Sequence, residues 1–223
     1  MKVQTTSIIR QLRALVPVRP LTEREAKSLA ERQAIILLEL LGQHRPAVDV
    51  GLIAELPRIE VRVEPNLHKG GISGFSQWSQ GRWLIVVNRS DSTTRRRFTL
   101  SHELKHILDH PFAKVLYSNL SDAEAERERI IERICDYFAG CLLVPRNWLK
   151  QAWANGIQDR AALAALFNVS EAAISVRLQQ TGIGEPRTAH HRELSQPISS
   201  YFRKESTGQT FITYPQAAQG GIL

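Results

Sequence analysis

Arg96-Arg97-Phe98-Thr99-Leu100-Ser101-His102-Glu103-Leu104-Lys105-His106 places an HExxH pattern inside an apolar run of helical period. Residues four apart share a helix face, so the imidazoles of His102 and His106 can reach one metal ion while Glu103 lies beside its open side. Nitrogen and carboxylate donors suit zinc best. Phe98, Leu104, Ile107 and Leu108 give the helix an apolar stripe and so a reason to be buried. HExxH alone arises by chance in on the order of one or two chains per hundred, so its surroundings must decide.

A catalytic zinc takes a third protein ligand and keeps one position for water. Glu132, in Glu132-Arg133-Ile134-Cys135-Asp136 on the next expected helix, is the candidate. Asp136, one turn further, is placed to accept a hydrogen bond from the free ring nitrogen of a ligand histidine. Cys135 is read as a buried small hydrophobe. Tyr117, His110 and Arg97 are candidates for stabilising a tetrahedral oxyanion. Asp109 and His110 are read first as helix-end caps before Pro111.

Outward from this motif, the pattern is helical from Ser92 to about Asp109. A charged stretch, Asp122 to Arg133, opens the next helix, which turns apolar through Ile134, Tyr137, Phe138 and Leu142 and ends before Pro145. Upstream, Thr22-Glu23-Arg24-Glu25 has capping-box form, and Ala26, Leu29, Ala30, Gln33, Ile36, Leu37, Leu40 and Leu41 follow at helical spacing, with Gly42 as the stop. Ile59, Val61 and Val63 alternate with charges as a half-buried strand. A turn at Gly70-Gly71, a strand over Ile72 to Trp78 and a more buried one over Arg82 to Asn88 complete an expected antiparallel meander.

Asp159 to Gln180 reads as two short helices around Phe167-Asn168-Val169-Ser170, with Ser170 as the second N-cap. Leu163, Ala164, Phe167, Val169, Ala173, Val176 and Leu178 have helix-turn-helix spacing. The would-be reading face offers Glu171, Ala172, Ser175 and Gln179, with Arg177 its one cation, so packing or substrate docking is favoured over DNA binding.

The chain has 223 residues, 43% hydrophobic and 23% charged, which excludes disordered and collagen-like classes. Its longest apolar stretch, Ala34 to Leu41, is far short of the roughly 20 residues a bilayer span needs. With no apolar leader at Met1 to Arg10, the expectation is no membrane and a cytoplasmic location. Cys135 and Cys141 lie six apart in one expected helix and read as reduced thiols. The formal charge of +7 is scattered; its densest run, Arg95-Arg96-Arg97, reads as a solvated helix entrance.

The block quoted first, together with Glu132-Arg133-Ile134-Cys135-Asp136-Tyr137-Phe138-Ala139-Gly140-Cys141-Leu142-Leu143-Val144-Pro145, resembles the ImmA/IrrE family of zinc metallo-endopeptidases over roughly residues 25 to 182. Two departures stand out: Lys105 where many members have glycine, which a helix tolerates if the side chain points outward, and Cys135 where a smaller residue is common. The resemblance implies a compact gluzincin-like α+β domain. In it His102, His106 and Glu132 are ligands to one Zn2+ per chain and Glu103 is the catalytic general base. It also implies a protein substrate, an Xre-type helix-turn-helix repressor or an antitoxin, whose cleavage derepresses stress-response or mobile-element genes. The competing reading is a DNA-binding regulator with a structural zinc. The expected organisation is an N-terminal segment (1–20), the metallopeptidase domain (21–150), the helical pair (151–185) and a flexible tail (186–223).

Overall fold

The computed structural model describes residues 8–65, 67 and 72–184. The expected Gly70-Gly71 turn and the 186–223 tail lie outside them. Helix α1 (Ile8–Arg13) buries Ile8 and Leu12. Helix α2 (Glu23–Leu40) starts where Thr22 Oγ1 accepts the Glu25 amide and the Glu25 carboxylate accepts the Thr22 amide, so two orphan donors are satisfied at once. It ends before Gly42, whose φ of +66° suits a residue without a Cβ.

A 3-10 turn (Val50–Glu55) leads into the sheet of β1 (Ile59–Glu64), β2 (Gly74–Ser79) and β3 (Arg82–Asn88). The expected meander is corrected: the strand order is β1-β3-β2, with β1 parallel to β3 and only β2 antiparallel to it. Burial explains the order. β3 carries the most apolar run and takes the centre with Ile85, Val86 and Val87 buried, whereas the charge-alternating β1 takes an edge. Gln80 and Gly81, both at positive φ, make the two-residue turn that joins β2 to β3.

Helix α3 (Thr93–Asp109), N-capped by Ser92, packs on this sheet and carries HExxH. At Gly74 an added Cβ would sit 2.5 Å from Thr99 Cγ2 and 2.5 Å from the Val86 carbonyl oxygen, so glycine is what lets β2 approach α3. A short α4 (Ala113–Leu116) precedes α5 (Glu124–Leu143), which packs against both α2 and α3. Ile134, Phe138, Ala139 and Leu142 on α5 face a common core with Leu37, Leu104 and Ile107. Helix α6 (Arg146–Ala154) buries Leu149 and Ala152.

The expected pair is present as α7 (Arg160–Phe167) and α8 (Glu171–Thr181), with Ser170 Oγ accepting the Ala173 amide. The two helices meet at 101° and share the core through Leu163, Phe167 and Ile174. No single described helix is long and apolar enough to cross a membrane.

Two side chains expected outside are inside. Arg177 is fully buried: its Nε donates to the Val144 carbonyl, its Nη1 to Gln180, and its guanidinium lies 5.5 Å from the centre of the Tyr137 ring. The outward residues of α8 are Glu171, Gln179 and Gln180, none of them cationic. Lys105 is likewise fully buried, on the back of α3, where Nζ donates to Gln33 Oε1 at 2.8 Å and to Asp109 Oδ1 at 2.7 Å. Tyr117 donates to the other Asp109 oxygen. Asp109 is thus the anion of a buried cluster, not a helix cap.

Removing one member of a buried ion pair strands the other charge, which costs more than removing both. Asp109→Ala is expected to destabilise the protein by about 3–5 kcal/mol in urea unfolding, and Lys105→Met with Asp109→Leu together by less than Asp109→Ala alone. Additive losses would show that the pair does not act as a unit.

Candidate metal centre

Helix α3 presents His102 and His106 one turn apart, and α5 brings Glu132 against both. His102 Nε2 lies 3.3 Å from Glu132 Oε2, His106 Nε2 lies 3.3 Å from Glu132 Oε1, and the two Nε2 atoms are 3.0 Å apart. Donors held 2.0–2.1 Å from a tetrahedral zinc stand about 3.3 Å from one another, so this set matches a single small cation. The donor chemistry fits as well, two imidazoles and a carboxylate.

Asp136 Oδ1 lies 2.9 Å from His102 Nδ1. It is almost fully buried, so its carboxylate fixes the Nδ1–H tautomer and turns Nε2 toward the other donors. Burial by itself would depress the basicity of His102, but the hydrogen bonds to Asp136 and Glu132 outweigh it and raise its pKa well above the usual range. His106 is raised for the same kind of reason, burial opposed by Glu132, with the charge of His102 working against it. Burial would raise Glu132, yet the two imidazoles hold it well below the ordinary carboxylate range. Positive charge is therefore concentrated where a divalent ion would sit.

Cys135 Sγ and the two histidines also form a group with all donor atoms within 4.8 Å of one another. The thiol is buried, and burial reinforced by Glu132 and Asp109 pushes its pKa well above the usual thiol range. Glu132 has an oxygen 3.3 Å from each ring nitrogen, and the two imidazoles hold it ionised.

Glu103 is mostly buried beside this set, and its Oε2 accepts a hydrogen bond of 2.8 Å from Ser76 Oγ on β2. Sequence reasoning passed over Ser76; the signal was only that a strand residue facing α3 must meet whatever α3 shows. The three oxyanion candidates are engaged otherwise. Tyr117 is buried and bonded to Asp109, Arg97 donates to the Asn168 carbonyl, and His110 packs edge-on against Trp83. A surface recess of about 570 Å3 between Arg58, Glu60 and Arg82 lies away from these residues, and its one carboxylate is already paired with Arg62 and Arg82.

Among curated proteins none matches the chain. Among solved structures, a Mycobacterium tuberculosis transcriptional regulator shares the fold with a TM-score of 0.56 at 18% identity. The match covers 74% of this chain and 58% of that one, so this chain spans somewhat over half the regulator's length. The family model for the IrrE N-terminal-like domain, Peptidase_M78, matches residues 55–179, more than half of the sequence and every residue of the His102, Glu103, His106, Glu132 and Asp136 set. This chain belongs to the IrrE N-terminal-like domain family, a family of metallopeptidase type.

Proposed function

We propose that the chain is a zinc endopeptidase in which His102, His106 and Glu132 hold the metal, Asp136 orients His102, and Glu103 is the general base. The observation that carries this reading is the convergence of two ring nitrogens and two carboxylate oxygens to within 3.3 Å, with a further carboxylate alongside. A bound zinc ion would supply Lewis-acid polarisation of a peptide carbonyl and lower the pKa of water to about 7. Glu103 takes the proton of the attacking water and passes it to the leaving amine, so one carboxylate serves as base and then acid. The hydrogen bond from Ser76 holds that carboxylate in place. The protein substrate best supported by the family resemblance is a helix-turn-helix repressor or an antitoxin.

The alternative, a DNA-binding regulator with a structural zinc, draws on the name of the Mycobacterium tuberculosis protein of similar fold. Against it, α8 turns its one arginine inward. A structural metal also has no use for Glu103. Glu103→Gln is therefore expected to keep one zinc per chain and to lose about 100- to 10,000-fold in cleavage of a co-purified repressor, followed by gel electrophoresis. Cleavage at the wild-type rate would remove the enzyme reading.

Ligand choice between Glu132 and Cys135 is tested by zinc affinity. Glu132→Ala is expected to weaken binding by about 100-fold or more, and Cys135→Ala to change it little, in competition with a chromophoric chelator. The reverse order would make the thiol the third ligand.

Zinc must displace protons from His102 and His106, whose pKa values are raised, so its affinity climbs as pH rises above about 6.5. Without metal the sign is opposite. Raised imidazoles stabilise the fold below their unfolded pKa, and that contribution is lost as pH rises through the folded values. Melting temperature is thus expected to fall with pH in chelator above about 6.5 and, in saturating zinc, to stay level across the same interval, because neither the metal-bound fold nor the unfolded chain then carries those protons. Parallel curves would show that the metal does not bind at the imidazoles.

A further inference from the structure

β2 and α3 run alongside each other in the same direction. Gly74 abuts Thr99, Ser76 reaches Glu103, and further on Trp78 meets Trp83, which in turn meets His110 near the end of α3. The strand advances roughly 14 Å from Gly74 to Trp78, about the rise of nine helical residues, so the two elements keep step along their contact. Alternation along β2 puts Ser76 and Trp78 on the side facing α3, and Phe75 and Gln77 on the other. Thr99, Glu103 and His110 lie on the flank of α3 that meets the sheet, next to the flank on which His102 and His106 meet α5.

At the far end of this contact Trp78 leaves 41% of its surface exposed, while Trp83 across the hairpin is only 8% exposed. The Trp78 ring is held edge-on to Trp83 at 5.4 Å, and Trp83 edge-on to His110 at 4.8 Å. A tryptophan fixed in this way gives up little conformational freedom when something packs on it. β2 is also an edge strand among the described residues, so its main chain has one unpaired side.

We propose that Trp78 is the specificity-determining wall of a subsite for a large apolar or aromatic side chain of an extended substrate segment. That side chain lies two residues from the one passing Ser76 and Glu103, because two residues of extended chain cover the roughly 7 Å between them. The proposal rests on the peptidase reading above and adds to it a preference in the substrate. Nothing charged is required of the side chain it takes; the ring contacts select for area and for a π face.

The test uses the full-length zinc-loaded protein and a set of tripeptide hydroxamates, anchored on the metal, that differ only by glycine, leucine, phenylalanine or glutamate at each position in turn. At one position phenylalanine is expected to bind about tenfold tighter than glycine, the scale of one aromatic contact. Trp78→Ser should bring that ratio close to one while the all-glycine hydroxamate binds as before, and Trp78→Phe should keep most of the preference. Should Trp78→Ser fail to fold, Trp78→Gln replaces it in the same comparison. Binding with no side-chain preference, or a preference that survives loss of the indole, overturns the subsite alone. Failure of the all-glycine hydroxamate to bind the loaded protein overturns the peptidase reading and the subsite with it.

Discussion

The site exists only if α5 holds a carboxylate against two imidazoles of α3, and the fastener between those helices is the 2.9 Å contact of Asp136 with His102. Both groups are almost out of reach of water, and their pairing holds the helices to one separation and one rotation. Given that contact, Glu132 is carried one turn back along α5 and falls opposite both ring nitrogens. The apolar packing of Ile134 and Phe138 with Leu104 and Ile107 supplies the adhesion, and the polar contact chooses the register.

α3 is unusual in carrying charge on two opposed faces. Its front shows the histidines and Glu103, and its back shows Lys105 and Asp109, sealed under α1 and α2. Buried charge on the back is tolerated because each group has partners: Gln33 and Asp109 for the ammonium, Lys105 and Tyr117 for the carboxylate. Lys105 fills this space with a long cation, which a carboxylate and an amide receive.

Much of this was legible in the sequence, and the boundary is a physical one. Capping signals and the 3.6-residue period located α2, α3, α5, α7 and α8 to within a few residues, because those signals are local. Spacing also put Glu132 and Asp136 on one face of α5 and His102 and His106 on one face of α3, whereas which of them meet is a contact between helices that spacing does not fix. Strand order was not legible either. Whether β1 lies parallel or antiparallel to β3 depends on the path of the connection between them, and alternation of Ile59, Val61 and Val63 reads the same either way. The inward turns of Lys105 and Arg177 were hidden for a related reason: each is stabilised by partners distant in the chain, Gln33 for one and Val144 for the other. Ser76 belongs to the same class, a residue whose importance comes wholly from what folds against it.

The underside of α3 is closed by residues that precede the stretch shared with the family. Arg13 donates to the carbonyls of Ile107 and Leu108 near the end of α3, and Gln33, which receives Lys105, donates in turn to the Leu12 carbonyl. The matched stretch 55–179 is therefore not self-sufficient in this protein. Without the leading helices the Lys105–Asp109 pair would lose Gln33 and its cover, and the Ile107 and Leu108 carbonyls would lose Arg13, so the wall behind the histidines would open to water.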